Sequence, residues 1–336
     1  MPLTLRLGDP DEMSLLQERE APNLMTKDGS DVQPLSVTLE ARGANVQGDL
    51  ETMKCVRLPD AEIEYCERGA GEPLFLVHAG VFANWFVPMA ASNALDGFRV
   101  IRVRRAGYGR NAPQRPLTLQ DHANHLAALV GHLGLEAVHL VGHSSSAQIG
   151  LNMASDHPKL VRSLILMEPA PCGPLQVPAA AELVERSIKP AMGAFANGNL
   201  EGAFDIFLRG VCGDNYREVI EKSLGRAGYE QAVRESDFFF RDETSAAMQW
   251  QFGPAEVARV RQPVLIIEGA EGRKQGPFSQ QVTELTQKLL PHAEVALIEG
   301  VNHALPLQNP DGVGQVVVNF VRRHPIVSVG TGHASV

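Results

Sequence analysis

Apolar and polar positions along this chain follow two alternating rhythms. Predominantly apolar runs recur at Leu74-Phe75-Leu76-Val77, Phe98–Val103, Ala137–Val141, Val161–Met167, Pro263–Ile267 and Val295–Ile298. Runs this short, bounded by polar or turn-forming residues, suit strands buried on both faces, as in a parallel sheet. Between them the apolar residues space out by three and four: Leu126, Leu129, Val130 and Leu133; Val282, Leu285 and Leu289; Val313, Val316, Val317, Phe320 and Val321. That spacing predicts amphipathic helices. Thr118 and Asp121 make a capping-box-like start to the first, and Gly134 closes it. Asn309-Pro310 opens the last with a capping residue and a proline at the first helical position. Met53–Leu58 and Ala61–Glu67 flank Pro59-Asp60 and predict a hairpin ahead of the parallel strands. Strands alternating with helices predict an α/β fold with a mostly parallel, doubly covered sheet and right-handed crossovers.

Two stretches depart from this rhythm. Residues 1–50 are polar and mixed, and read as an N-terminal arm with one short helix around Glu12–Glu20. Residues 171–260 carry short helical patterns (Ala179–Glu185, Leu200–Gly210, Tyr216–Leu224) and the run Phe238-Phe239-Phe240, but no strand-like run. They read as a helical insertion. The expected organisation is an arm at 1–50, a core at 51–170, the insertion at 171–260, the second part of the core at 261–325 and a tail at 326–336.

Candidate chemistry concentrates at Leu140-Val141-Gly142-His143-Ser144-Ser145-Ser146. Two aliphatics and then small-x-Ser-x-small predict a strained strand-to-helix turn with a serine at its tip. The plain alternative is a glycine and serine loop between two core elements. Ile149, Leu151, Met153 and Ala154 continue as a helix-compatible segment up to His157-Pro158, the context such a turn needs.

Composition narrows the classes. The 336 residues are 44% hydrophobic and 21% charged, ordinary for a globular chain. A formal charge of −9 opposes binding to nucleic acid phosphates or an anionic membrane surface. The longest apolar runs fall well short of the roughly 20 residues of a membrane span. Asp9, Asp11 and Glu12 follow the start of the chain closely, against a secretory signal, so a cytoplasmic location is expected. Cys55, Cys66, Cys172 and Cys212 form no CxxC pair and are expected as free thiols. No HxxxH or HExxH spacing falls on a plausible helix, and no metal or organic cofactor is implied. His122 and His125, three apart on the first helix, read as surface residues.

Several motifs agree in order and spacing. They are Val77-His78-Ala79-Gly80 after the third strand, Arg104–Arg110 after the fourth, Gly142–Ser146 after the fifth, Asp156-His157-Pro158 after its helix, and Gly300-Val301-Asn302-His303 after the eighth. From about residue 52 to 324 the chain resembles the α/β-hydrolase superfamily. The resemblance implies an α/β-hydrolase fold, with 171–260 as a helical cap inserted after strand six. It also implies Ser144 as nucleophile and His303 as its base, since a serine hydroxyl is weak until a base takes its proton. The oxyanion hole would be the backbone N–H groups of Gly80 and Ser145. His78 and His143 are expected to bond backbone, Arg105 and Tyr108 to stabilise their own loop, and Trp85, Phe82 and Phe86 to line the pocket or simply pack.

The chain departs from the family pattern in three places. Ser146 stands where the elbow usually has glycine, and Ala79 where the oxyanion loop does. The loop Gly269–Lys274 after the seventh strand lacks the usual aspartate. Glu168, at the end of strand six, is the expected triad acid, with Glu271 as alternative and Glu268 also in reach. A serine nucleophile implies acyl transfer. The expected function is a serine hydrolase cleaving a small or medium hydrophobic ester or lactone through an acyl-enzyme. The alternatives are C–C bond hydrolysis or a perhydrolase with the same triad, or a non-catalytic hydrolase-fold binding protein. The expected partner is a small-molecule acyl substrate, and the sequence leaves a homodimer open.

Overall fold

The computed structural model describes residues 53–110 and 112–326. The arm at 1–50 with its expected helix, and the tail beyond residue 326, lie outside them. Eight strands form one sheet: β1 (Lys54–Arg57), β2 (Glu62–Arg68), β3 (Glu72–Val77), β4 (Phe98–Arg104), β5 (Val138–His143), β6 (Val161–Met167), β7 (Val264–Gly269) and β8 (Glu294–Ile298). Their order is β1-β2-β4-β3-β5-β6-β7-β8. The β1–β2 hairpin turns around Pro59-Asp60, and β2 pairs antiparallel with β4. Every pairing from β4 through β8 is parallel.

Continuous apolar runs make sense here because neighbouring strand residues serve opposite faces. Phe75, Val77, Leu140 and Ile266 pack on one side with Leu126, Leu129, Ile149 and Val282 from the helices Leu119–His132, Ser145–Asp156 and Phe278–Leu289. Leu74, Leu76, Val141 and Ile267 pack on the other with Met89, Val313, Val317 and Phe320. The Thr118–Asp121 capping box forms as the sequence predicts. His122 and His125 correct the surface reading: only 3% and 6% exposed, they lie on the inner face of their helix.

Between β6 and β7 the chain is helical. The helices Lys189–Ala196, Leu200–Cys212 and Tyr216–Phe238 are flanked by π-helical turns, Val184–Ile188 before the first and Phe239–Glu243 after the last. Gly225 kinks the long helix, with a φ of +71° that L side chains rarely adopt. This segment has its own core, in which Phe204, Leu208, Tyr216 and Phe240 meet Val81, Phe82 and Trp85 from the loop after β3. The helices are therefore packed onto the carboxyl ends of the strands. Among the described residues no helix is long and apolar enough to cross a membrane.

Candidate active site

Parallel strands deliver their following loops to one edge of the sheet. Ser144 follows β5, Glu168 follows β6, and His303 lies in the loop after β8. The helix Ser145–Asp156 starts immediately after Ser144, whose φ of +53° and ψ of −121° make the sharp turn. The Ser144 N–H donates to the Met167 carbonyl at 2.9 Å, so the turn is tied to β6. Gly142 is required, since a Cβ there would lie 2.1 Å from the Ser146 carbonyl oxygen. Ser146 is accommodated in place of the usual glycine, and its hydroxyl donates to the His78 carbonyl at 2.6 Å, tying the elbow to the loop after β3.

Among the described residues, three other than glycine have positive φ: Val81 (75°), Ser144 (53°) and Glu168 (47°). Each such conformation costs of order 1–3 kcal/mol, and such residues cluster where function over-determines the backbone. All three line a single cavity of about 110 Å³, together with Gly80, Ser145 and His303. The Ser144 hydroxyl makes no hydrogen bond to a described residue and opens into this space.

Glu168 and His303 meet. His303 Nδ1 lies 3.5 Å from Glu168 Oε2, a long contact, with the two side chains 12% and 4% exposed. The other oxygen, Oε1, accepts the Gly269 N–H at 2.6 Å, and the Glu168 N–H extends the ladder to Ile267. The remaining glutamates are engaged elsewhere. Glu271 pairs with Lys274 at 2.6 Å and does not line the cavity. Glu268 holds Arg273 at 2.8 Å and the Ser279 hydroxyl at 2.7 Å.

His78 and His143 bond backbone, as expected. His143 Nε2 donates to the His303 carbonyl at 3.0 Å, and the two rings lie 4.9 Å apart. Burial, reinforced by electrostatic coupling to the neighbouring His303 ring, pushes His143 well below the usual imidazole range and keeps it neutral. His78 Nε2 accepts the Arg105 N–H at 3.1 Å, which leaves Nδ1–H to donate to the Ala79 carbonyl at 2.6 Å. Trp85 lines the cavity, while Phe82 lies behind it, stacked at 4.3 Å.

Two features were not legible in the sequence. Asn302 pins the His303 loop to the helical segment, its amide donating to the Cys212 carbonyl at 2.5 Å. Arg105 and Tyr108 do more than stabilise their own loop, because both reach Glu243 at the second π-helical turn. Arg105 Nη2 lies 3.0 and 3.1 Å from the two Glu243 oxygens. The Tyr108 hydroxyl accepts the Val81 N–H at 3.1 Å and donates to Glu243. A carboxylate 138 positions from its arginine has no local sequence signature.

The cavity wall is otherwise apolar. Leu183, Ile188, Phe207, Leu208, Val211 and Phe239 come from the helical segment, and Phe278 from the helix after β7. Its ionisable lining groups are Glu168, His303 and Cys172, and no lysine or arginine is among them. Burial pushes the Cys172 thiol up to about 12, so it is uncharged at neutral pH.

Comparison with known proteins gives the same architecture. The enol-lactonase from Burkholderia xenovorans LB400 superposes with a TM-score of 0.65 at 18% identity, covering 80% of this chain and 100% of that one. The 2-(acetamidomethylene)succinate hydrolase of Mesorhizobium japonicum is 25% identical over 271 residues, 76% of this chain and 90% of that protein. The uncharacterized hydrolase YcgS of Bacillus subtilis is 29% identical over 105 residues, 31% of this chain and 37% of that protein. A model of the alpha/beta hydrolase family matches residues 74–316, from the first parallel strand into the last helix. With the sheet order, the strained serine turn and that match in agreement, the chain belongs to the alpha/beta hydrolase family.

Proposed function

We propose that this protein is a serine hydrolase for an uncharged, hydrophobic carboxylic ester or lactone with a short acyl chain. Ser144 attacks the carbonyl while His303 takes its proton, and the tetrahedral oxyanion sits between the N–H groups of Gly80 and Ser145. Glu168 holds the His303 Nδ1–H and stabilises the imidazolium. His303 then returns the proton to the leaving oxygen, and water hydrolyses the acyl-enzyme by the same route. Neither the Gly80 nor the Ser145 N–H donates to a described residue, so both are available. Helices between β6 and β7 act as a cap that shapes substrate choice.

One observation carries the substrate class: the wall is apolar, with no cationic side chain to receive a carboxylate. A relative that hydrolyses a succinate handles two carboxylates, and a buried unpaired carboxylate is strongly disfavoured. A cavity volume of about 110 Å³ favours short acyl chains over long ones.

The test is a p-nitrophenyl ester series from acetate to decanoate, run beside a dicarboxylate and an acidic β-diketone, with fluorophosphonate labelling of Ser144. Turnover should peak at short neutral esters and vanish, along with labelling, in Ser144→Ala. Preference for an acidic substrate would overturn the substrate class, and absence of labelling of the native protein would overturn the serine mechanism.

A further inference from the structure

We propose that the buried Arg105–Glu243 pair positions both oxyanion donors at once. This rests on the serine hydrolase reading and adds two positioning residues to it. The Ala79 carbonyl and the Gly80 N–H belong to one planar trans peptide and point in opposite directions. Arg105 Nη2 donates to the Ala79 carbonyl at 3.2 Å, and His78 Nδ1 donates to the same oxygen at 2.6 Å. Two donors on that oxygen, one of them cationic, fix the rotation of the peptide and polarise it, which strengthens its N–H.

The second donor is held from the same pair. The Ser145 hydroxyl donates to Glu243 Oε1 at 2.6 Å. That bond anchors the first residue of the helix after the nucleophile. Glu243 also receives Arg105 and the Tyr108 hydroxyl, and Tyr108 in turn accepts the N–H of strained Val81, next to Gly80. Every member is buried: the Arg105 and Glu243 side chains are 1% and 0% exposed. Arg105 Nε and Nη1 have no partner among the described residues, so its directional bonding runs through Nη2.

Charge explains why the pair must be a pair. A lone carboxylate beside Ser145 would oppose an oxyanion forming nearby, and the Arg105 guanidinium offsets that field while keeping the acceptor in place. Glu243 belongs to the π-helical turn Phe239–Glu243, and such turns recur at functional sites. The helical segment therefore does more than wall the cavity: one of its side chains completes the circuit that orients both N–H groups.

The decisive variant is Ser145→Ala, which keeps the backbone N–H and removes only the hydroxyl. On p-nitrophenyl butyrate it should lower kcat about 10-fold with KM changed less than about 2-fold. The inhibition constant of butylboronic acid, which forms a tetrahedral adduct on the serine, should rise by the same factor. Glu243→Gln should lower kcat at least as much, and the double variant no more than Glu243→Gln alone, because both act through one chain of contacts. If Glu243→Gln fails to fold, Ser145→Ala carries the test. A folded Ser145→Ala with kcat and boronate affinity of the wild type overturns the positioning role, as does a rise in KM alone. A wild type that neither turns over acyl substrates nor labels at Ser144 overturns the hydrolase reading with it, so the two failures are distinguishable.

Discussion

Residues 171–260 hold none of the 11 histidines of the chain, whereas the sheet and its flanking elements hold four that are buried and driven toward neutrality. The sheet loops supply Ser144, Glu168 and His303, held by strand ladders and by positive φ at two of the three. The helical segment supplies Leu183, Ile188, Phe207 and Phe239, apolar side chains on short helices and π-helical turns. One region sets polar groups at strand tips, and the other encloses a volume. The contrast teaches where to expect each kind of effect: loss of turnover from the sheet side, change of selectivity from the helical side. Glu243 is the exception that joins them.

The largest test of this division is His303→Ala, which should lower kcat about 10,000-fold or more in the ester assay while leaving the melting temperature near that of wild type. Turnover within tenfold of wild type would break the comparison outright. Glu168→Gln should cost about 1,000-fold, as expected when a base loses the partner of its second nitrogen, while Glu271→Gln changes kcat less than about 2-fold. Equal effects of the two would remove the distinction drawn from their different partners.

Stability should divide similarly. Leu76→Ala, at a fully buried site in β3, should cost about 2–5 kcal/mol in urea unfolding. The buried histidines give a pH signature of known sign. His78, His122 and His143 lie well below the ordinary imidazole range because burial disfavours the cation, with the Arg105 charge adding to the effect at His78 and His122. The unfolded chain then binds more protons than the folded one below about pH 6.5, so stability is full above that value and falls as pH drops. Each histidine contributes up to about 1.4 kcal/mol per pH unit. Urea titrations between pH 7 and 5 measure the slope, and His122→Asn should reduce it by one proton's share. A slope unchanged by that variant would show that the acid sensitivity resides elsewhere.

The smallest effect sharpens the helical side. Phe207→Ala enlarges the cavity wall and should shift the ratio of kcat/KM for octanoate over butyrate esters about 10-fold toward the longer chain, with kcat on butyrate within about 3-fold of wild type. A collapse of kcat instead would place catalytic positioning at a residue assigned only to shape.

Much of this was legible from spacing. Short apolar runs marked the parallel strands, Gly142 and Ser144 marked the turn, and the position of Glu168 at a strand end suggested its approach to His303. The burial of His122 has a signal in the sequence: with Leu126 and Leu129 it falls on one helical stripe, which the structure buries. A polar residue on an apolar stripe belongs to the stripe, and its neutrality is the consequence. The roles of Asn302, Tyr108 and Glu243 carried no comparable signal.

Sequence alone determined the order of the elements and the sharp serine turn, because each follows from residues within a few positions of one another, where period and turn chemistry act. Tertiary structure alone decided how Ser146 replaces a glycine and how Arg105 finds Glu243, and it brings Glu168 to His303, the approach that the strand end suggests. Those outcomes depend on contacts between segments from 68 to 138 residues apart, brought together by burial of both sheet faces, and a buried charge selects its partner only once the solvent between them is gone.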